Sequence, residues 1–231
     1  MAAEIRQFRV HNVIVEVRGT GASALARRFD YFSDRPGDPR QLDPYSITIE
    51  LGGQTSSSRG PNFSYGSFPS QEPAFTFLSA EIPRLLELSG LHPLRALALG
   101  QADGKALVVL GAPADAVRLG QALLALAPLS LLSWRQALVD NTGRVHPYPV
   151  SAESGAANAL PATATPLLPR PDDRFQPGHV IVARNGAVAP SLASLPRWRA
   201  TLALTRAFGL PSLSSPTRVA AASALLARSL T

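Results

Sequence analysis

Three features of the chain predict an α/β fold. Segments that alternate apolar and polar residues recur at 8–18 and 45–51, the period of a half-buried strand. A continuous apolar run, Ala106-Leu107-Val108-Val109-Leu110, has the composition of a strand buried on both faces. Helical patterns follow strand-like ones and occupy the C-terminus. The expected architecture is a mixed, P-loop-like central sheet flanked by helices, with two C-terminal helices.

Taken in order, FRVHNVIVEVR at 8–18 reads as one strand. Gly19-Thr20-Gly21 turns the chain into a helix at 22–32, with Thr20 or Ser23 as its cap. Arg35-Pro36-Gly37-Asp38-Pro39 is a loop by its turn residues. YSITIEL at 45–51 is the second strand. The stretch at 52–73 is rich in Gly, Ser and Pro and reads as a surface excursion, in which Phe63, Tyr65 and Phe68 are candidate partner-binding residues. A third strand is read at 75–78, and a short helix at 80–88 with Pro83 in its first turn.

Strands at 94–99 and 106–110 flank Gln101-Ala102-Asp103-Gly104, a hairpin by its Asp-Gly turn. A helix follows at 119–126. Residues 129–139 are apolar and end in the turn Asp140-Asn141-Thr142-Gly143, before a proline-stiffened extended segment at 145–150. The Ala/Pro/Thr-rich stretch 151–171 is a linker or strap. A buried-type strand at 179–183 ends at Asn185-Gly186. Helices at 195–208, with Gly209 as C-cap, and at 215–230, with Ser215 capping and Pro216 in the first turn, close the chain. This organisation gives an α/β domain over 1–150. Over 151–231 it gives a strap, a short strand and two helices that pack on the same domain or on a partner.

With 45% hydrophobic and 16% charged residues, the 231-residue chain has the material for a substantial core. It has no cysteine, which rules out disulfides and thiolate metal sites. The N-terminus, MAAEIRQFRVHNVIVEV, alternates and carries charge, unlike a signal peptide. No apolar run reaches the roughly 20 residues of a membrane helix, so a cytoplasmic protein without a transmembrane segment is expected. The formal charge is +6, and Lys105 is the only lysine among 22 basic residues. The arginines are scattered without interleaved aromatics, which argues against nucleic acid. Arginine suits acidic or phosphorylated protein surfaces, through bidentate pairing.

The four histidines, His11, His92, His146 and His179, lack metal-ligand spacing, so no metal and no cofactor is expected. Asp172-Asp173 reads as a solvated loop pair. No Gly-x-Ser-x-Gly elbow or other nucleophile–base set can be assembled. Trp134 and Trp198 are explained by packing.

The run 106–110 leads into Gly111-Ala112-Pro113-Ala114-Asp115-Ala116-Val117-Arg118, a strand, a glycine-opened turn and a helix. That is the layout of a phosphate-binding loop, whose pattern is Gly, four residues, then Gly-Lys-Ser/Thr. Ala116 stands where the second glycine belongs, Val117 where the lysine belongs, and Arg118 where the magnesium-holding hydroxyl belongs. The frame is kept and its chemistry is lost.

Residues 91–150 resemble the HPr serine kinase/phosphorylase family, especially its shorter HPr-kinase-related branch. The resemblance is carried by Asp103-Gly104-Lys105-Ala106, Gly111 onward, Leu132-Ser133-Trp134-Arg135, Asp140 to Arg144, and His146-Pro147-Tyr148-Pro149. The N-terminal strands and the Asp43-Pro44-Tyr45 approach to a strand are similar too. The resemblance implies a fold of the HPr kinase/PEP carboxykinase type. It also implies that Trp134 and Arg135 replace the acidic pair that handles magnesium and activates the attacking group. Phosphoryl transfer depends on positioned cations and a nucleophile-orienting carboxylate, and these are lost together.

The expected function is therefore that of a catalytically inactive, HPr-kinase-like protein. It would hold a protein or peptide partner as an adaptor, assembly factor or subunit of a heteromeric complex; a homo-oligomer is compatible with the same reading. Candidate contact residues are Phe63, Tyr65, Phe68, Arg118, Arg135, Leu225 and Leu226. Two alternatives stay open: an atypical kinase with rearranged ATP contacts, and an anion- or nucleotide-sensing module.

Overall fold

A computed structural model describes residues 4–32, 45–150, 168–170, 172–183, 197–208 and 216–229. The loop read at 35–39, the pair Asn185-Gly186, the caps Gly209 and Ser215, and nearly all of 151–171 lie outside the described residues. Two compact units divide the chain between Ser89 and Gly90. Both are mixed α/β, and the described residues form three sheets rather than one central sheet.

In the first unit, β1 (Ile5–Val10) and β2 (Val13–Arg18) form a hairpin, followed by α1 (Ala22–Arg27) and a 3₁₀ turn at Asp30–Phe32. β3 (Tyr45–Leu51), β4 (Ser56–Arg59), β5 (Phe63–Phe68) and α2 (Gln71–Leu88) complete it. The strand order is β1-β2-β3-β5-β4. β3 runs parallel to both neighbours, and the two outer pairs are antiparallel. Val13, Val15, Val17, Ile47 and Ile49 are fully buried on the face that α1 and α2 cover. The alternating positions Glu16, Thr48, Glu50 and Tyr65 are only partly buried. This is the alternation of a sheet with one apolar face.

Three expectations are corrected here. The single strand read at 8–18 is two strands, with His11 left-handed (φ 53) in the turn between them. The excursion at 52–73 contains β4 and β5, joined through Gly60-Pro61-Asn62. The strand read at 75–78 and the helix read at 80–88 are one helix, in which Pro83 is interior. Its buried stripe, Ala74, Phe75, Leu78, Ile82, Leu85 and Leu86, keeps helical spacing throughout. That burial overrides the strand propensity of Phe75-Thr76-Phe77 and the loss of a main-chain donor at Pro83.

The second unit contains β6 (Leu91–Leu94), the hairpin β7 (Leu97–Gly100) and β8 (Lys105–Leu110), then α3 (Pro113–Leu126). β9 (Ser130–Ser133), β10 (Ala137–Asp140), β11 (Val145–His146), β12 (Gln176–Val182), α4 (Arg197–Ala207) and α5 (Pro216–Ser229) follow. One sheet has the order β12-β8-β7-β9, with β12 parallel to β8; the other, β11-β10-β6, is antiparallel. β8 is buried on both sides, as its unbroken apolar run predicts. Ala106, Val108 and Leu110 face a core shared with Phe208, Ala221 and Leu225. Leu107 and Val109 face Ala116, Leu131 and Trp134 on the α3 side. The compositional change at residue 150 is thus internal to this unit: β12, α4 and α5 pack on β8 and β10.

Candidate functional site

The junction between β8 and α3 is where the sequence suggests the layout of a phosphate-binding loop. Only Gly111 and Ala112 separate strand from helix: Ala112 is the N-cap and Pro113 the first helical residue. The amides of Asp115 and Ala116 both donate to the Ala112 carbonyl, at 3.0 Å each. Ala116, Val117 and Arg118 therefore lie inside the helix. Ala116 is buried, Val117 half-buried against the α3-side core, and Arg118 exposed. Phosphate cradles need a run of main-chain amides in an open loop before the helix; here those amides are turned into helical bonds.

The end of β12 closes the same place from the side. Gly111 (φ 140) sits so near Ala183 that an added Cβ would lie 2.7 Å from its carbonyl oxygen. The Ala183 amide donates to the Leu110 carbonyl at 2.7 Å. Lys105 is committed elsewhere, as its ammonium lies 3.2 Å from the Asp103 carboxylate within its own hairpin turn.

Trp134 is buried beside Leu131 and Ala116, and Arg135 is exposed between β9 and β10. The first is core and the second surface. Further along the chain, Asp140 ends β10 and organises its turn. Its Oδ1 accepts from the Thr142 amide and hydroxyl (2.8 and 2.7 Å) and from the Arg144 amide (3.0 Å). Its Oδ2 lies 3.1 Å from His146 Nε2. Burial pushes the Asp140 carboxyl up, but the hydrogen bonds of Thr142, His146 and Arg144 outweigh it, leaving it below the usual range. Burial depresses His146 more than the Asp140 hydrogen bond and charge raise it. This carboxylate–histidine pair is saturated by its own turn and has the form of a structural device.

The proposed contact residues divide. Phe63 is 48% exposed on β5. Tyr65 is half-buried and donates its hydroxyl to Glu50 Oε2 at 2.7 Å. Phe68 is corrected from a surface to a core residue, buried with its ring 5.2 Å from that of Phe77. Leu225 is likewise corrected, fully buried in the core of the second unit. The Leu226 side chain lies outside the described residues.

What the sequence reading missed is Glu81. It falls within the buried stripe of α2 and is 1% exposed. A buried carboxylate demands partners, and it has three. Arg59 Nε (2.7 Å), Ser64 Oγ (2.7 Å) and Arg84 Nε (2.8 Å) all donate to it, and Arg84 also donates to Ser64 at 2.8 Å. Burial raises the Glu81 carboxyl, while these bonds and the two guanidinium charges lower it by more. The available signal was a glutamate at helical spacing among leucines and isoleucines. Two arginines on one carboxylate leave one positive charge in surplus beside β4.

A shallow cleft of about 490 Å³ in the same unit is lined by Thr20, Gly52, Pro69, Ser70, Gln71 and Glu72, where β2, β3 and β5 end. Ser70 holds the N-cap position of α2 without a capping hydrogen bond. The third residue of that helix is Pro73, which has no amide to offer. Among the described residues no group of three or more His, Asp or Glu could hold a metal ion, and no helix is long and apolar enough to cross a membrane. A scan against protein-family models and a search of curated proteins both found no match.

Proposed function

We propose that the chain is a catalytically inactive, HPr-kinase-like protein that holds a protein or peptide partner, as an adaptor or a subunit of a heteromeric complex. The observation that carries this reading is the β8–α3 junction. Its order of hairpin, buried strand, glycine and helix is that of a nucleotide-binding frame. Its two-residue length, the helical bonding of its amides and the Ala183 carbonyl beside Gly111 leave no cradle for a phosphate chain. Phosphoryl transfer without positioned cations loses most of its catalysis. An exposed Phe63, and an Arg59 that shares the single Glu81 carboxylate with Arg84, supply what a partner surface needs instead. Calorimetry with magnesium and ATP tests the catalytic half of the proposal. No saturable heat up to millimolar nucleotide is expected; micromolar binding that disappears in Arg118→Ala would replace it with the rearranged-kinase reading.

A further inference from the structure

β4 is one of the two edge strands of its sheet and, among the described residues, pairs only with β5. All four of its residues, Ser56-Ser57-Ser58-Arg59, are exposed. The Gly60 amide donates to the Phe63 carbonyl at 2.9 Å, which sets the phase of the ladder. Ser58 and Ser56 exchange main-chain bonds with β5, so Ser57 and Arg59 direct theirs outward. Among the described residues the outer edge thus presents unpaired donors and acceptors, the requirement for adding a strand.

Charge decides what can pair there. Arg59 is the only charged residue between Gly52 and Phe68. Its side chain is 58% exposed, with Nε held by Glu81. Glu81 is already shared with Arg84, so the edge keeps a net positive charge at a fixed position. A second copy of β4 brings no carboxylate to Arg59, whereas an acidic side chain on an incoming strand finds a cation already oriented. Beside it the Phe63 ring lies against Gly60, where any side chain would collide with it, and this leaves an exposed aromatic at the end of the edge.

We infer that the outer edge of β4 docks an extended, acidic segment of a partner protein, added to the five-stranded sheet as a further strand. This inference rests on the partner-holding reading above and names its site and chemistry. The probe is a set of fluorescein-labelled octapeptides in which threonine alternates with glutamate, glutamine or lysine, titrated with the full chain by anisotropy. The glutamate peptide should bind tighter than the glutamine peptide by about fivefold, the upper range of one exposed ion pair. Arg59→Gln should erase that difference. Ser57→Pro, which removes an outward amide at an edge position that tolerates proline, should abolish binding of every peptide with the circular dichroism unchanged. Equal affinity for the three peptides, or a glutamate preference that survives in Arg59→Gln, overturns the inference. Purification from the producing organism separates the two levels. A partner retained by Ser57→Pro at the wild-type yield overturns the edge and leaves the partner reading intact; no partner with the wild type overturns the partner reading itself.

Discussion

Arg59 on the edge strand β4 reaches Glu81 in the middle of α2, Nε to Oε1 at 2.7 Å, and so ties that strand to the longest helix of the first unit. Ser64 and Arg84 complete the shell around the carboxylate. Glu81→Leu would leave Arg84 and Ser64 facing an apolar group. Both arginines reach solvent, so the loss falls below that of a fully buried pair, at about 1–3 kcal/mol. Urea unfolding checks this, with a lower midpoint expected for Glu81→Leu and a nearly unchanged one for Arg59→Gln, in which Arg84 still holds the carboxylate.

Among the groups whose folded-state pKa values are depressed, three that are withdrawn from solvent set the acid sensitivity. For His146, ordinarily 6.5, the folded protein favours the neutral ring. Its contribution is complete above that value and is lost as pH falls through the lower folded value. Glu81 and Asp140, ordinarily 4.5 and 3.8, add losses of the same sign below those values. Melting temperature should therefore fall as pH drops below 6.5, and fall faster below 4.5. His146→Gln should remove the first decline and keep the second. A variant that tracks the wild type through both would show that His146 does not titrate in the fold.

Trp134 stands where the family resemblance implies a catalytic acid, and it is buried against the α3-side core. Trp134→Ala should cost about 3–5 kcal/mol, the usual range for emptying a large aromatic site. Trp134→Asp should destabilise at least as much and yield no phosphotransfer. Activity gained without loss of stability would mean that the position is an open, wet site.

Val117→Lys tests the same point at the helix. Val117 packs partly into that core, so lysine there loses packing and must reach for solvent. A loss of about 1–2 kcal/mol without nucleotide binding is expected from thermal melts and calorimetry. An unchanged melting point combined with ATP binding would contradict the closed junction.

Much of the second unit was legible in the sequence, because its signals are local. The Asp103-Gly104 turn, the buried run 106–110 and Pro113 at the helix start each speak for their own element. The first unit was less legible, for reasons that lie in packing. The phase change from Phe8 and Val10 to Val13, Val15 and Val17 marks the turn at His11-Asn12, but a strand reading that tracks only alternation passes over it. β5 looks like a loop because two of its helix-facing positions are Ser64 and Gly66, kept small beneath Glu81 and Phe77. The proposed contact set was legible only in part. An aromatic in a Ser/Gly-rich stretch reads as available, and only the fold separates the exposed Phe63 from the buried Phe68. Deleting 54–72 would accordingly remove two strands rather than a loop, so point substitutions are the sound probes of that surface.

On the proposed function, the chain holds a partner on its surface and transfers nothing. The most direct test is affinity purification of the tagged chain from the organism that produces it, comparing wild type with Phe63→Asp, a change at an exposed position of β5. A protein partner should be recovered with the wild type in near-equimolar amount, and the yield from Phe63→Asp should be lowered about tenfold, as for a modest aromatic anchor. Recovery of no partner with the wild type would contradict it; the same partner at equal yield from both would keep the partner and move its contact away from Phe63.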